Sequence, residues 1–137
     1  DINRKAAEKA KELGAVNFIS PSLEEAAQGV DLVFLSLPVM SVPPVFLELR
    51  PHLSPSTRVL DLGSTREWVW GEISPALQGL EYSGFHPMGG GERSGIEHAR
   101  KGILRNVPIL VSPPPASKSG KNMVEEIARF LEGQVFF

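Results

Sequence analysis

Ser83-Gly-Phe-His-Pro-Met-Gly-Gly-Gly-Glu-Arg-Ser-Gly95 is the stretch on which the reading of this chain turns. The run that leads into it, Glu81-Tyr-Ser-Gly-Phe85, has the look of a strand and is expected to deliver His86 to a loop. Pro87 has no N–H to give a ladder and should stop it, and the three glycines beyond allow the backbone to lie close to a ligand. A second strand exit upstream, Val59-Leu-Asp-Leu-Gly-Ser64, ends the same way and sets Ser64 and Thr65 at the mouth of a helix. Polar groups leaving neighbouring strands at one edge are how an open α/β sheet holds a ligand.

Outward from these exits, strand and helix patterns alternate. Leu32 to Leu37 is nearly all apolar, which suits a strand covered on both faces, and Pro38 closes it. Val107 to Val111 is expected to be a strand ended by Pro113-Pro-Pro115, and Gln134 to Phe137 another. Arg4 to Leu13 places Ala6, Ala7, Ala10 and Leu13 on one helical face, with Gly14 positioned to end the helix in the left-handed conformation. Ala15 to Ile19 reads as a short extended piece. Ser22-Leu-Glu-Glu25 has the spacing of a capping box before a short helix, Leu23 to Gln28, that Gly29 ends. Ser41 is placed to cap a helix with Pro43 and Pro44 in its first turn and Val45, Phe46 and Leu49 turned inward. Arg66 to Leu77 is a helix interrupted by Gly71 and Pro75, and Ile96 to Leu104 is either a helix or irregular. Val124, Ile127, Ala128 and Leu131 recur at helical spacing, so Lys121 to Glu132 is expected to be amphipathic. The economical fold is α/β: a doubly wound, mostly parallel sheet, in one domain over residues 1–137.

The totals narrow the function. A chain of 137 residues, 42% hydrophobic and 22% charged, is of the size and composition of one globular domain. A net charge of −2 gives no footprint for nucleic acid or an anionic membrane. No apolar run approaches the length of a membrane span. The absence of cysteine excludes a disulfide framework, a thiolate metal site and a cysteine nucleophile, and fits a cytoplasmic location. No metal site is expected.

His86 is the leading candidate for chemistry. A neutral imidazole can take the proton of a hydroxyl as its carbon–oxygen bond becomes a carbonyl, which suits the oxidation of an alcohol. Ser64, on the adjacent exit, either orients that imidazole and the same hydroxyl or caps the following helix. Asp61, inside a strand, would hold loop amides together. Glu92 and Arg93 follow the glycines and are either ligand contacts or solvated loop residues, while His52 and His98 have the setting of surface residues. Asp1, just before a helix, fits either a helix cap or the acidic residue that bonds ribose hydroxyls at the end of the second strand of a dinucleotide-binding unit. Arg4, one turn on, would instead meet a 2′-phosphate, so NAD and NADP both stay open. No G-x-G-x-x-G occurs; if Asp1 ends a second strand, the first strand and its phosphate-binding turn lie upstream of this chain.

Five blocks in order carry a resemblance. They are Asp1-Ile-Asn-Arg4, Leu35-Ser-Leu-Pro-Val39, Asp61-Leu-Gly-Ser-Thr-Arg66, Gly84-Phe-His-Pro-Met-Gly-Gly-Gly-Glu-Arg-Ser-Gly95 and Val107-Pro-Ile-Leu-Val-Ser-Pro113. Together they resemble the nucleotide-binding domain of the prephenate and arogenate dehydrogenases. The resemblance implies a Rossmann-like domain without its first strand and glycine-rich turn, bound to NAD or NADP. It implies an oxidative decarboxylation in tyrosine biosynthesis: prephenate to 4-hydroxyphenylpyruvate, or arogenate to tyrosine. By match, His86 and Ser64 would be catalytic and touch the substrate hydroxyl, and Glu92 would join the polar network at the substrate entrance. Asp1, Arg4, Leu37, Pro38, Val39 and Gly63 would lie along the cofactor. The partner would be a small-molecule substrate, and the whole enzyme would be a homodimer through a helical C-terminal domain, without which this chain would not turn over. Two departures stand out: Arg66 replaces the family's usual lysine, and Gly89 its common alanine. Alternatives are another 3-hydroxyacid or 6-phosphogluconate-like dehydrogenase, or a non-catalytic nucleotide-binding module.

Overall fold

The computed structural model describes every residue from Asp1 to Phe137. Five strands, β1 (Leu32–Leu35), β2 (Arg58–Asp61), β3 (Glu81–Pro87), β4 (Pro108–Val111) and β5 (Gln134–Phe136), lie side by side in chain order. β1, β2 and β3 are mutually parallel, in a register that sets Leu35 beside Asp61 and Asp61 beside Gly84. β4 runs antiparallel to β3, with His86 opposite Leu110, and β5 is again parallel to β4. The mostly parallel α/β sheet is as the sequence suggests, but the β3–β4 link is not a crossover. Strand direction is not written in a short apolar run, and the long glycine-containing connection allows either sense.

Period-two alternation divides the core between the two sheet faces. On one face Leu35, Val59 and Tyr82 pack under α2 (Leu23–Ala27), α3 (Val42–Leu49) and α4 (Glu67–Ile73), with Val42, Phe46, Leu49, Val69 and Ile73 buried. On the other, Leu60, Phe85, Ile109 and Val111 meet Val124 and Ala128 of α5 (Lys118–Phe130). β1 departs from the expected two-sided cover: it is the sheet edge, its burial is partial, and Phe34 is 46% exposed.

Helix ends follow side-chain capping. Ser22 accepts from Glu25 N–H at 3.1 Å, and Ser117 accepts from Gly120 N–H at 2.9 Å, which starts α5 three residues before the expected Lys121. Ser41 makes no cap bond; Val42 at the first turn is buried instead. Pro75 ends α4, and a 3-10 turn over Ser74–Ala76 follows. Ala15 to Ile19 joins no strand. α1 (Arg4–Glu12) buries no residue fully and touches the 3-10 turn at Ile96–His98, which brings the helix behind Asp1 against the glycine loop.

Candidate functional site

The carboxyl ends of β1, β2 and β3 meet at one rim, tied by Leu62 N–H, which donates to the Leu35 carbonyl at 3.1 Å. β2 ends on Asp61, a polar residue in an apolar strand, fully excluded from solvent. A buried carboxylate is stable there only when it is paired and hydrogen-bonded. Gly63 N–H donates to Oδ1 at 2.8 Å, while Arg66 Nη1 and the Tyr82 hydroxyl donate to Oδ2 at 2.6 and 2.9 Å. Burial pushes the Tyr82 phenol well above its ordinary value, and the Asp61 carboxylate beside it pushes further the same way, so Tyr82 stays a donor. At Gly63 a Cβ would stand 3.1 Å from Asp61 Oδ1, so the chain turns tightly over its own carboxylate.

That turn holds the candidate base. His86 lies within β3 rather than in a loop, and Pro87 is itself paired with Ile109; the ladder continues because the proline carbonyl side and the antiparallel partner need no N–H from it there. The half-buried His86 ring places Nδ1 3.1 Å from the Leu62 carbonyl oxygen. A carbonyl can only accept, so Nδ1 carries the hydrogen and the neutral ring keeps its lone pair on Nε2. Ser64 is exposed two residues beyond Leu62. Helix α4 takes Arg66 as its cap residue and gains no side-chain cap bond, so Ser64 does not serve as that cap.

The other sequence candidates are spread over several elements. Leu37 and Val39 are half-buried and Pro38 exposed just past β1, and Gly63 is half-buried. Glu92 and Arg93 are exposed in the loop beyond β3, where Gly90 and Gly95 take φ of 148° and 103°. Asp1 is exposed, and its Oδ1 accepts from Asn3 N–H at 2.7 Å. Asn3, not Asp1, caps α1, by accepting from Ala6 N–H at 3.1 Å. Arg4 Nε bonds Glu8 Oε1 at 3.1 Å. No three His, Asp or Glu side chains gather as a metal site would need.

Sequence reading overlooked Arg66 and Tyr82 as members of the network. The available signal was Asp61 itself, since a carboxylate in an apolar strand demands partners, but nothing in the spacing names them. A cavity of about 690 Å³ lies at the opposite rim, bordered by Asp31, Thr57, Arg58, Glu81, Ser117 and Ser119, away from Ser64 and His86.

Residues 1–135 match the family model described as prephenate dehydrogenase, nucleotide-binding domain. The chain is 26% identical over 136 residues to a prephenate dehydrogenase of Bacillus subtilis (strain 168), across 97% of this chain and 36% of that protein. It superposes with a TM-score of 0.89 and 25% identity on prephenate dehydrogenase from Aquifex aeolicus, solved in complex with hydroxyphenyl propionate and NAD+, covering 99% of this chain and 48% of that one. Synechocystis arogenate dehydrogenase shares the fold, with a TM-score of 0.86, 24% identity, and cover of 98% and 48%. The chain thus spans between about a third and a half of the length of these relatives.

Proposed function

This chain belongs to the family of prephenate dehydrogenase nucleotide-binding domains, and from that premise we propose that it is the dinucleotide-binding part of an enzyme that oxidatively decarboxylates prephenate or arogenate. The observation that carries the reading is the His86 hydrogen bond to the Leu62 carbonyl, which leaves Nε2 as the ring's acceptor; Ser64, exposed two residues beyond Leu62, would share the substrate hydroxyl with it.

The rim suits a dinucleotide in two respects. Gly63 keeps the backbone clear of side chain at the end of β2, and Asp1 has one carboxylate oxygen not engaged by Asn3, suited to a ribose hydroxyl. Arg4 is paired with Glu8 in an exposed contact that a 2′-phosphate could displace, so it does not choose between NAD+ and NADP+. Leu37, Pro38 and Val39 would lie along the cofactor, and Glu92 would reach the substrate from the loop. A bound nicotinamide would supply the hydride acceptor.

In this reading Nε2 of His86 receives the proton of the ring hydroxyl as the hydride leaves the same carbon, and a C=O bond forms there. The carbon–carboxylate bond across the ring then breaks, its electron pair completes the aromatic ring, and carbon dioxide leaves. The proton held on His86 returns to the oxygen, which becomes the phenol, so the imidazole ends neutral. Ser64 would hold the hydroxyl on line with Nε2. In this reading the enzyme acts as a homodimer.

The test is turnover of the full-length protein, supplying prephenate and arogenate in turn with NAD+ and NADP+. Reduced cofactor and carbon dioxide should appear together. Cofactor binding without turnover of either substrate would instead favour a non-catalytic nucleotide-binding module.

A further inference from the structure

Arg66 lies between the end of β2 and the start of α4, yet its guanidinium returns five residues to the buried Asp61. Along β3, Tyr82, Gly84 and His86 share one face of the sheet. Gly84 has no side chain, and a Cβ there would collide with Nε and Cζ of Arg66 and with the Ser112 carbonyl oxygen. The guanidinium therefore fills the slot between Tyr82 and His86 that a side chain at Gly84 would take. It also staples the two ends of the loop 62–65. That loop carries Ser64, and its Leu62 carbonyl holds the His86 ring.

Only one arm of the cation is spent on the pair. Nη1 bonds Asp61, the Arg66 side chain is 19% exposed, and Nη2 is buried with no protein acceptor. A buried arginine that leaves a donor unused is held by its shape and by one carboxylate, not by a full set of hydrogen bonds. We infer that Arg66 is a positioning residue: paired with Asp61 and seated over Gly84, it fixes the loop that orients His86 Nε2 and Ser64 toward the substrate hydroxyl. The inference rests on reading His86 and Ser64 as the hydroxyl-binding pair. A displacement of about 1 Å at such a pair costs on the order of 10²-fold in rate.

The test has one arm that needs no turnover. In the full-length protein labelled with ¹⁵N-histidine, the ring signal of His86, assigned by its loss in His86→Asn, should report the Nδ1–H form. In Arg66→Ala this signal should move toward a mixture of the two tautomers. In the same variant kcat should fall roughly 10- to 100-fold, with the cofactor Kd changed less than about threefold. Arg66→Lys can still meet Asp61 and should keep most of the wild-type tautomer. If Arg66→Ala does not fold, Asp61→Asn/Arg66→Met, which leaves no buried charge unpaired, is read in its place. A folded variant whose His86 signal is that of wild type overturns the inference, whatever its kcat. So does a lysine variant that loses the tautomer as fully as alanine. Absence of turnover in the wild type would defeat the functional reading alone, because the tautomer arm still decides the role of Arg66.

Discussion

The two rims of this sheet are built on the same plan and end in different states. At the amino rim, Arg58 Nε bonds Glu81 Oε2 at 2.8 Å across the starts of β2 and β3; at the carboxyl rim, Arg66 Nη1 bonds Asp61 Oδ2 at 2.6 Å near their ends. Each pair relies on a glycine for room: a Cβ on Gly120 would press on the Glu81 carboxylate, and one on Gly84 on the Arg66 guanidinium. At the amino rim Glu81 also takes the N–H and hydroxyl of Ser117, at 2.9 and 2.7 Å, and Arg58 Nη2 meets Ser119 at 2.7 Å. The Glu81 carboxylate thus holds Ser117, the residue that caps α5, so that rim closes on itself. At the carboxyl rim the ion pair is buried beneath, while the Ser64 hydroxyl and the imidazole Nε2 above it are left for something else to use. The contrast teaches that an arginine–carboxylate pair marks neither structure nor function; what marks function is the polar group that the pair leaves unspent.

Breaking the carboxyl-rim pair should have the largest effect. Asp61→Ala removes the acceptor of Arg66, Tyr82 and Gly63 together and should cost about 3–5 kcal/mol in urea unfolding, since it strands a buried cation. A loss under about 1 kcal/mol would mean that the pair is not held as described. The glycines sharpen the comparison next. Gly84→Ala meets the Ser112 carbonyl, which is backbone and cannot yield, so it should cost about 1–3 kcal/mol and also lower kcat. Gly120→Ala meets the Glu81 carboxylate and must displace it from Ser117 and Arg58, so it should cost stability, offset by up to about 1 kcal/mol of helix propensity, while kcat should not change. Equal kinetic effects at the two glycines would erase the distinction between the rims.

Acid should reach the amino rim through Glu81. Burial alone would raise its carboxyl, but the Ser117 hydroxyl and N–H and the Arg58 guanidinium outweigh that and hold it below the ordinary glutamate value of 4.5. The unfolded chain therefore binds this proton at higher pH than the folded one. The stabilisation is fully present above that ordinary value and drains away as pH falls below it. Glu81→Gln should flatten the loss of stability between neutral and acid pH, and an unchanged pH dependence of the urea midpoint would contradict the arrangement. The smallest effect belongs to Ser83, whose buried hydroxyl has no hydrogen-bond partner. Ser83→Ala should be neutral or stabilising by up to about 1 kcal/mol, and a clear loss would reveal a bond not seen here.

Much of this was legible in the chain, and the gaps have physical causes. The apolar runs at Leu32, Arg58 and Glu81, the Ser22 cap and the left-handed Gly14, at φ of 69°, follow from periodicity and backbone sterics, which are local. Asp61 holding the Gly63 amide was legible for the same reason, two residues apart. The direction of β4 was not, because a four-residue apolar run reads alike in both senses. His86 falling inside β3 depends on pairing with Leu110, which is a matter of tertiary register. Arg66 and Tyr82 escaped because their partner lies on another element or across a turn, and no spacing rule spans that distance. Of the site, the chemical types could be read from the sequence, but the tautomer of His86 required the Leu62 carbonyl to be seen.

The most direct measurement is the kinetics of His86→Asn in the full-length protein. Asparagine keeps a donor for Leu62 but offers no basic nitrogen, so kcat should fall about 10² to 10⁴-fold while the cofactor Kd changes by no more than a few-fold. A variant that turns over at the wild-type rate, or one that loses cofactor affinity in step with rate, would contradict the account.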